Sequence, residues 1–200
     1  MSSHLRLWGA AFLVAAASVL SGCAGGYLLD NQVQTFSGLT AVPSSLGYRF
    51  ERLPSQQNPE QAQMEALADG ALLRAGFQRD DAAPLYGVQV SARVQRVLSP
   101  YADPWEMGFG WGLGFRHRGV GIGFGGPLGR MESPWYQREV GIIVRELATQ
   151  RVVYETHALN AGPWPDNNGV LAAMFGAAMQ GFPNPPQGPR RVDIQMGNTK

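Results

Sequence analysis

The side chain best equipped for chemistry in this sequence is its one cysteine, Cys23, which follows Leu20-Ser21-Gly22. A lone thiol excludes an internal disulfide and any multi-cysteine metal site, but it can still be alkylated. The histidines number three, one of them in the leading segment, so a zinc cluster is not expected. Acidic residues are scattered, and the adjacent pair Asp80-Asp81 falls where a solvated turn should follow a helix. His157 stands two residues from Glu155 on a strand-like run. Those two could share a face and hydrogen bond, a setting in which a surface contact is far commoner than a general base. The sequence contains no Gly-x-Ser-x-Gly elbow and no His-Glu-x-x-His. Gly121, Gly123 and Gly126 have dinucleotide-loop spacing, yet Pro127 and Gly129 interrupt the place where the required helix would open. No catalytic residue, metal or cofactor is therefore expected, and the chain reads as a non-enzyme.

Residues 1–22 have the layout of an export signal. A short polar start carrying His4 and Arg6 precedes an almost wholly apolar run over 7–20. As a helix, that run spans about 21 Å at about 1.5 Å per residue, short of a hydrocarbon core of about 30 Å. A signal-peptide core fits it better than a membrane-spanning helix. The ending Leu20-Ser21-Gly22-Cys23 resembles the lipobox of bacterial lipoproteins: an aliphatic residue, a small one, Gly or Ala, then Cys. That resemblance implies cleavage after Gly22 by signal peptidase II and a diacylglycerol thioether on Cys23. Ala24 stands where an Asp would retain an enterobacterial lipoprotein at the inner membrane, which points to the outer membrane, facing the periplasm. Residues 23–30 then form the lipidated N-terminus and a short tether, and 31–197 a single domain.

Sixteen Lys and Arg oppose fifteen Asp and Glu. Such a balance gives no electrostatic case for nucleic acid. Gly (26) and Pro (14) make up a fifth of the 200 residues, so long irregular connections are expected.

Polar–apolar alternation predicts strands at 33–36 and 47–53, read as a pair around a turn holding Gly38 and Pro43. A helix follows, with Asn58 as N-cap, Pro59 in the first turn and Gln61 placed to reach back. Its apolar face would be Met64, Leu67, Ala68, Ala71 and Ala75, and Gly76 would close it. Strand-like alternation returns from Tyr86 to Val94, and 140–147 with 151–156 read as a central hairpin. The segment 168–180 is apolar nearly all round, so it should be buried or docked on a partner. A last strand is expected at 191–196. The fold class is α+β: a mostly antiparallel sheet with two helices on one face, plus a Gly/aromatic-rich insert at 105–130.

Within that insert, Gly alternates with Phe109, Trp111, Leu113 and Phe115, and after Arg116-His117-Arg118 with Val120, Ile122 and Phe124. The phase of the glycines flips across the tip. A hairpin turning at 116–119 would bring Phe115 opposite Val120, Leu113 opposite Ile122 and Trp111 opposite Phe124, giving one apolar face. A glycine ribbon of this kind is not stable alone. Either it lies on the domain's own core or is a flexible Gly-rich loop, or it is an apolar wedge for a membrane or protein partner with Arg116, His117 and Arg118 at lipid phosphates. Trp105, Trp111, Trp135 and Trp164 flank the irregular segments and are read as pinning them, with glycan stacking as the alternative.

Gln34-Thr35-Phe36, Tyr48-Arg49-Phe50 through Leu53-Pro54-Ser55, Leu73-Arg74-Ala75-Gly76-Phe77, Val153-Tyr154-Glu155 and Gly181-Phe182-Pro183 together resemble the domain-of-unknown-function 4136 family of bacterial lipoproteins. The resemblance covers essentially all of the mature chain. It implies a compact α+β domain behind a lipidated cysteine, with no catalytic residues to carry over; the glycine insert departs from that pattern. The expected function is a membrane-anchored envelope lipoprotein that binds an envelope protein or a membrane surface. The alternative is a periplasmic binder of a small molecule, lipid or glycan, in a cleft between the second helix and the sheet.

Overall fold

The computed structural model describes residues 26–100 and 134–197. Backbone contacts divide the chain into a large unit, Asp30–Asp193, and a small one of residues 1–29 with 194–200. In the small unit, Leu29 near the start of the first strand is fully buried.

Strand β1 is Tyr27–Ser37 and β2 is Gly47–Phe50. A single 3-10 turn at Pro54–Gln56 leads into helix α1, Pro59–Arg74. Then come the two-residue β3 (Gln78–Arg79), β4 (Tyr86–Val97), β5 (Trp135–Glu146) and β6 (Val152–Gly162). Helix α2, Asn167–Met179, and strand β7, Arg190–Met196, complete the order. The sheet is open and its strands run β3-β2-β4-β5-β6-β1-β7. β4, β5, β6 and β1 are antiparallel neighbours, while β2 pairs parallel with both β3 and β4. The expected α+β class is what the fold shows.

Period-2 alternation decides which face is covered. Val88 and Val90 of β4, Val140, Ile142 and Val144 of β5, and Ala158 of β6 are essentially without exposure. Both helices lie over these residues and against each other, α1 on β4 and α2 on β5 and β6. Helix α2 buries Val170, Leu171, Met174, Phe175, Ala177, Ala178 and Met179, so its all-round apolarity is spent on the domain's own core. Each large apolar side chain hidden this way contributes about 1.5–3 kcal/mol.

Two expectations need correction. The run at 33–36 is a strand and that at 47–53 is one only as far as Phe50, and the two are not a pair, since β4, β5 and β6 lie between them. Nine residues separate β1 from β2, too many for the tight turn that enforces local pairing. The α1 cap is also only half as drawn: Asn58 Oδ1 accepts from the Gln61 backbone N–H at 2.8 Å, but the Gln61 side chain donates to Val90 O at 3.1 Å. Gln61, Glu65, Ala68, Ala71 and Leu72 are the buried residues of α1, so Ala68 and Ala71 of the expected face are buried as read, while Met64, Leu67 and Ala75 are only half-buried. Gly76, at φ +95, closes the helix as expected.

Candidate functional site

Leu20, Ser21, Gly22 and Cys23 lie outside the described residues, as do Phe109, Trp111, Leu113, Phe115, Arg116, His117, Arg118, Val120, Ile122 and Phe124, and Trp105. The geometry available for function is that of the domain itself, at three places.

On the face without helices, register sets Ser91, Gly141 and His157 side by side across β4, β5 and β6. A Cβ on Gly141 would lie 2.8 Å from Ser91 Oγ and 3.2 Å from His157 Nδ1, so the glycine leaves a notch both groups border. His157 Nε2 meets Glu155 Oε1 at 3.0 Å, the contact expected from the sequence. Both side chains are more than a third exposed. An exposed pair of this kind lacks the enclosure that general-base work usually draws on. Beside it, Glu51 lies over Gly87 with Arg145 Nε at 3.7 Å, so this face is a lattice of solvated polar contacts.

Under the helices the arrangement is different. Arg138 points inward from β5 in the phase of Val140 and Ile142 and is fully buried. Its Nε and Nη2 donate to Asn167 Oδ1 at 3.1 and 2.8 Å, Nη2 also donates to the Trp164 carbonyl, and the guanidinium sits 4.9 Å above the Tyr136 ring. Asn160 beside it donates to Asp30 O at 2.7 Å, and Asn31 donates to Val192 O at 3.0 Å. This polar layer ties β5, β6, β1 and the first turn of α2 together where the sheet's apolar layers end. A strand taken from Val140 leaves this layer out, whereas one more step of the same alternation, back to 138, places an arginine inside.

The third place is Glu65, whose side chain is 3% exposed and takes Arg52 in a two-pronged ion pair, Nε to Oε1 at 2.6 Å. Glu65 holds the Arg52 guanidinium protonated, above its already high ordinary range. With Gln61 this pair seats α1 on β4. Tyr48 donates to Asp69 nearby, and burial, then that carboxylate, raises the Tyr48 hydroxyl well above its ordinary value. Each of these groups is committed to a partner within the fold.

No family model matches the sequence, and no curated protein is similar to it. Among solved structures the chain is similar to a PDZ domain protein from Parabacteroides distasonis ATCC 8503, at 15% identity, with 90% of this chain covered and a TM-score of 0.50. The chain spans 41% of that protein's length. It is also similar to the PelC dodecamer from Paraburkholderia phytofirmans, at 10% identity over 74% of this chain and 94% of that one, with a TM-score of 0.45. At such identities the likeness is one of fold alone.

Proposed function

We propose that this chain is a lipid-anchored lipoprotein of the bacterial envelope whose α+β domain binds an envelope protein and performs no catalysis. The observation that carries the reading is Leu20-Ser21-Gly22-Cys23, closing an apolar run of signal-peptide length with the chain's sole thiol at the cleavage position. Acyl chains on Cys23 would each bury many methylenes at about 0.8 kcal/mol apiece, enough to make release from a bilayer negligible. Ala24 favours the outer membrane, facing the periplasm. Binding rather than chemistry is supported by the solvated His157–Glu155 pair and by the structural commitments of Arg138 and Glu65. The apolar residues of α2 are spent within the domain, which disfavours a carrier cleft beneath that helix. β7 ends the strand order, and an edge strand suits addition of a partner's strand.

The test is expression of the full chain and of Cys23→Ser in a Gram-negative host. Mature wild type should begin at residue 23, carry the mass of its acyl groups and sediment with membranes, and Cys23→Ser should keep its leader and lack acyl mass. Wild type that retains residues 1–22, or that matures without acyl groups, sinks the reading. Crosslinking of the native envelope through surface lysines introduced on β7 should then recover one envelope protein reproducibly.

A further inference from the structure

We propose that the domain stands on the bilayer by one end of its sheet, the end where β4 finishes and β5 begins, with Leu98, Arg96, Trp135 and Trp164 against lipid headgroups. The inference rests on the lipid anchor at Cys23 proposed above and adds what that anchor does to orientation.

The argument starts from tether length. Six residues separate Cys23 from Asp30, where the large unit begins. Even fully extended, a chain that short reaches about 25 Å at about 3.5 Å per residue. Register then fixes which end of the sheet is tethered. Asp30 of β1 accepts from Asn160 near the end of β6, Gly162 of β6 is opposite Tyr136 near the start of β5, and Trp135 is opposite Val97 at the end of β4. Arg138 brings the first turn of α2 to the same end through Asn167. The start of β4 and the β5–β6 turn at 147–150 lie at the other end. A twelve-residue strand such as β5 spans about 40 Å at about 3.4 Å per residue. The tether is shorter than the strand even at full stretch, so the Asp30 end is held nearer the bilayer than the 147–150 turn.

Exposed apolar residues alone would not choose between the ends, because Leu85 and Val152 are about half exposed at the distal one. The tether chooses, and what it brings to the membrane suits an interface. Leu98 is 76% exposed, and Trp135 and Trp164 are half-buried. The Trp164 indole rests over Gly162. Tryptophan favours the headgroup level, where an apolar ring and a polar N–H are both satisfied. Arg93 and Arg96 are exposed on β4 and can meet phosphates. Two acids at this end are already engaged, Asp30 with Arg191 at 3.1 Å and Asp166 on the Gly169 N–H of α2.

The experiment uses full-length lipidated protein reconstituted into vesicles of phosphatidylethanolamine and phosphatidylglycerol. Leu98→Cys, Arg96→Cys and, at the distal turn, Thr149→Cys each carry an environment-sensitive fluorophore, and the quencher is a nitroxide on the lipid headgroup. Quenching at 98 and 96 is expected to exceed that at 149 severalfold. Equal quenching at the three positions, or more at 149, overturns the orientation while leaving the anchor intact. Shielding at 98 that is already complete in detergent, without vesicles, assigns the surface to a second copy or another protein and also overturns it. An unmodified Cys23 would take up the fluorophore in wild type, and that result removes the anchor reading and this proposal together.

Discussion

Arg138 is a permanent cation, wholly buried, and among its contacts Nε and Nη2 both donate to the amide oxygen of Asn167. A hydrogen bond to a carboxylate is about twice as strong as one to a neutral acceptor. Asn167→Asp would put that carboxylate against the guanidinium, and the first turn of α2 favours an acid independently. The substitution should stabilise the protein by about 0.5–1 kcal/mol in denaturant melts. A lowered midpoint would show that the buried cation is already neutralised and would count against this account of the layer. Arg138→Met removes the charge but strands Asn167 Oδ1 and the Trp164 carbonyl, which should cost about 2–4 kcal/mol. Neither variant touches residues 20–23, so neither should alter the proposed cleavage and acylation, which a mass spectrum of each variant beside wild type checks.

Caps and turns set the limits of the elements, and two glycines carry sharp expectations. Gly76 closes α1 at φ +95 with Leu46 Cδ1 only 3.5 Å from where a Cβ would stand. Gly76→Ala should therefore lose about 1 kcal/mol, read as a lower thermal midpoint. Gly169 sits in the first turn of α2, where a Cβ would fall 2.3 Å from Asp166 Oδ2. Gly169→Ala should displace the cap and cost about 1 kcal/mol, and Asp166→Ala should cost a similar amount without adding to it. Additive losses would mean the clash and the cap are separate. These elements were legible in the sequence to different depths. Asn58, Pro59 and Gly76 announced α1, and the alternation after Tyr86 announced β4, because those signals are local. Strand order was not, since β2 joins β4 in parallel across a whole helix and β3 is two residues long. The buried face of α1 is only partly legible: Ala68 and Ala71 follow the apolar pattern, but Gln61 and Glu65 are polar, and only their partners Val90 and Arg52, distant in sequence, make their burial tolerable. Of the candidate site, the lipobox-like ending Leu20-Ser21-Gly22-Cys23 is a local motif that the sequence alone displays, whereas the Arg138 layer depends on β5, β6, β1 and α2 meeting.

At the scale of the large unit, one aromatic chain links elements that no single strand joins. Tyr48 of β2 packs edge-on to Phe77 at 5.9 Å, and Phe77 packs on Tyr86 of β4 at 6.2 Å and on Phe182 at 5.1 Å. Phe182 in turn meets Tyr154 of β6 at 5.0 Å, so the cluster ties both outer and central strands to the segment after α2. Burial raises the hydroxyls of Tyr48, Tyr86 and Tyr154 alike, with Asp69 adding to the first and Glu146 to the second. Below the ordinary tyrosine value of about 10, all three are neutral in the folded and the unfolded chain, and their contribution to stability is fully present. As pH rises past about 10 the unfolded chain releases these protons and the folded one does not, so unfolding becomes progressively favoured until the folded values are reached. The denaturant midpoint should accordingly hold level up to about pH 9.5 and then fall. Absorbance at the tyrosinate band should show part of the six tyrosines titrating only as the fold is lost. Tyr154→Phe keeps the ring contact with Phe182 and removes one of the three protons, so it should make the alkaline fall shallower while leaving the neutral-pH packing in place. A fall of unchanged steepness in Tyr154→Phe, or full tyrosinate absorbance in protein still folded at pH about 10.5, would show that the cluster does not govern alkaline stability.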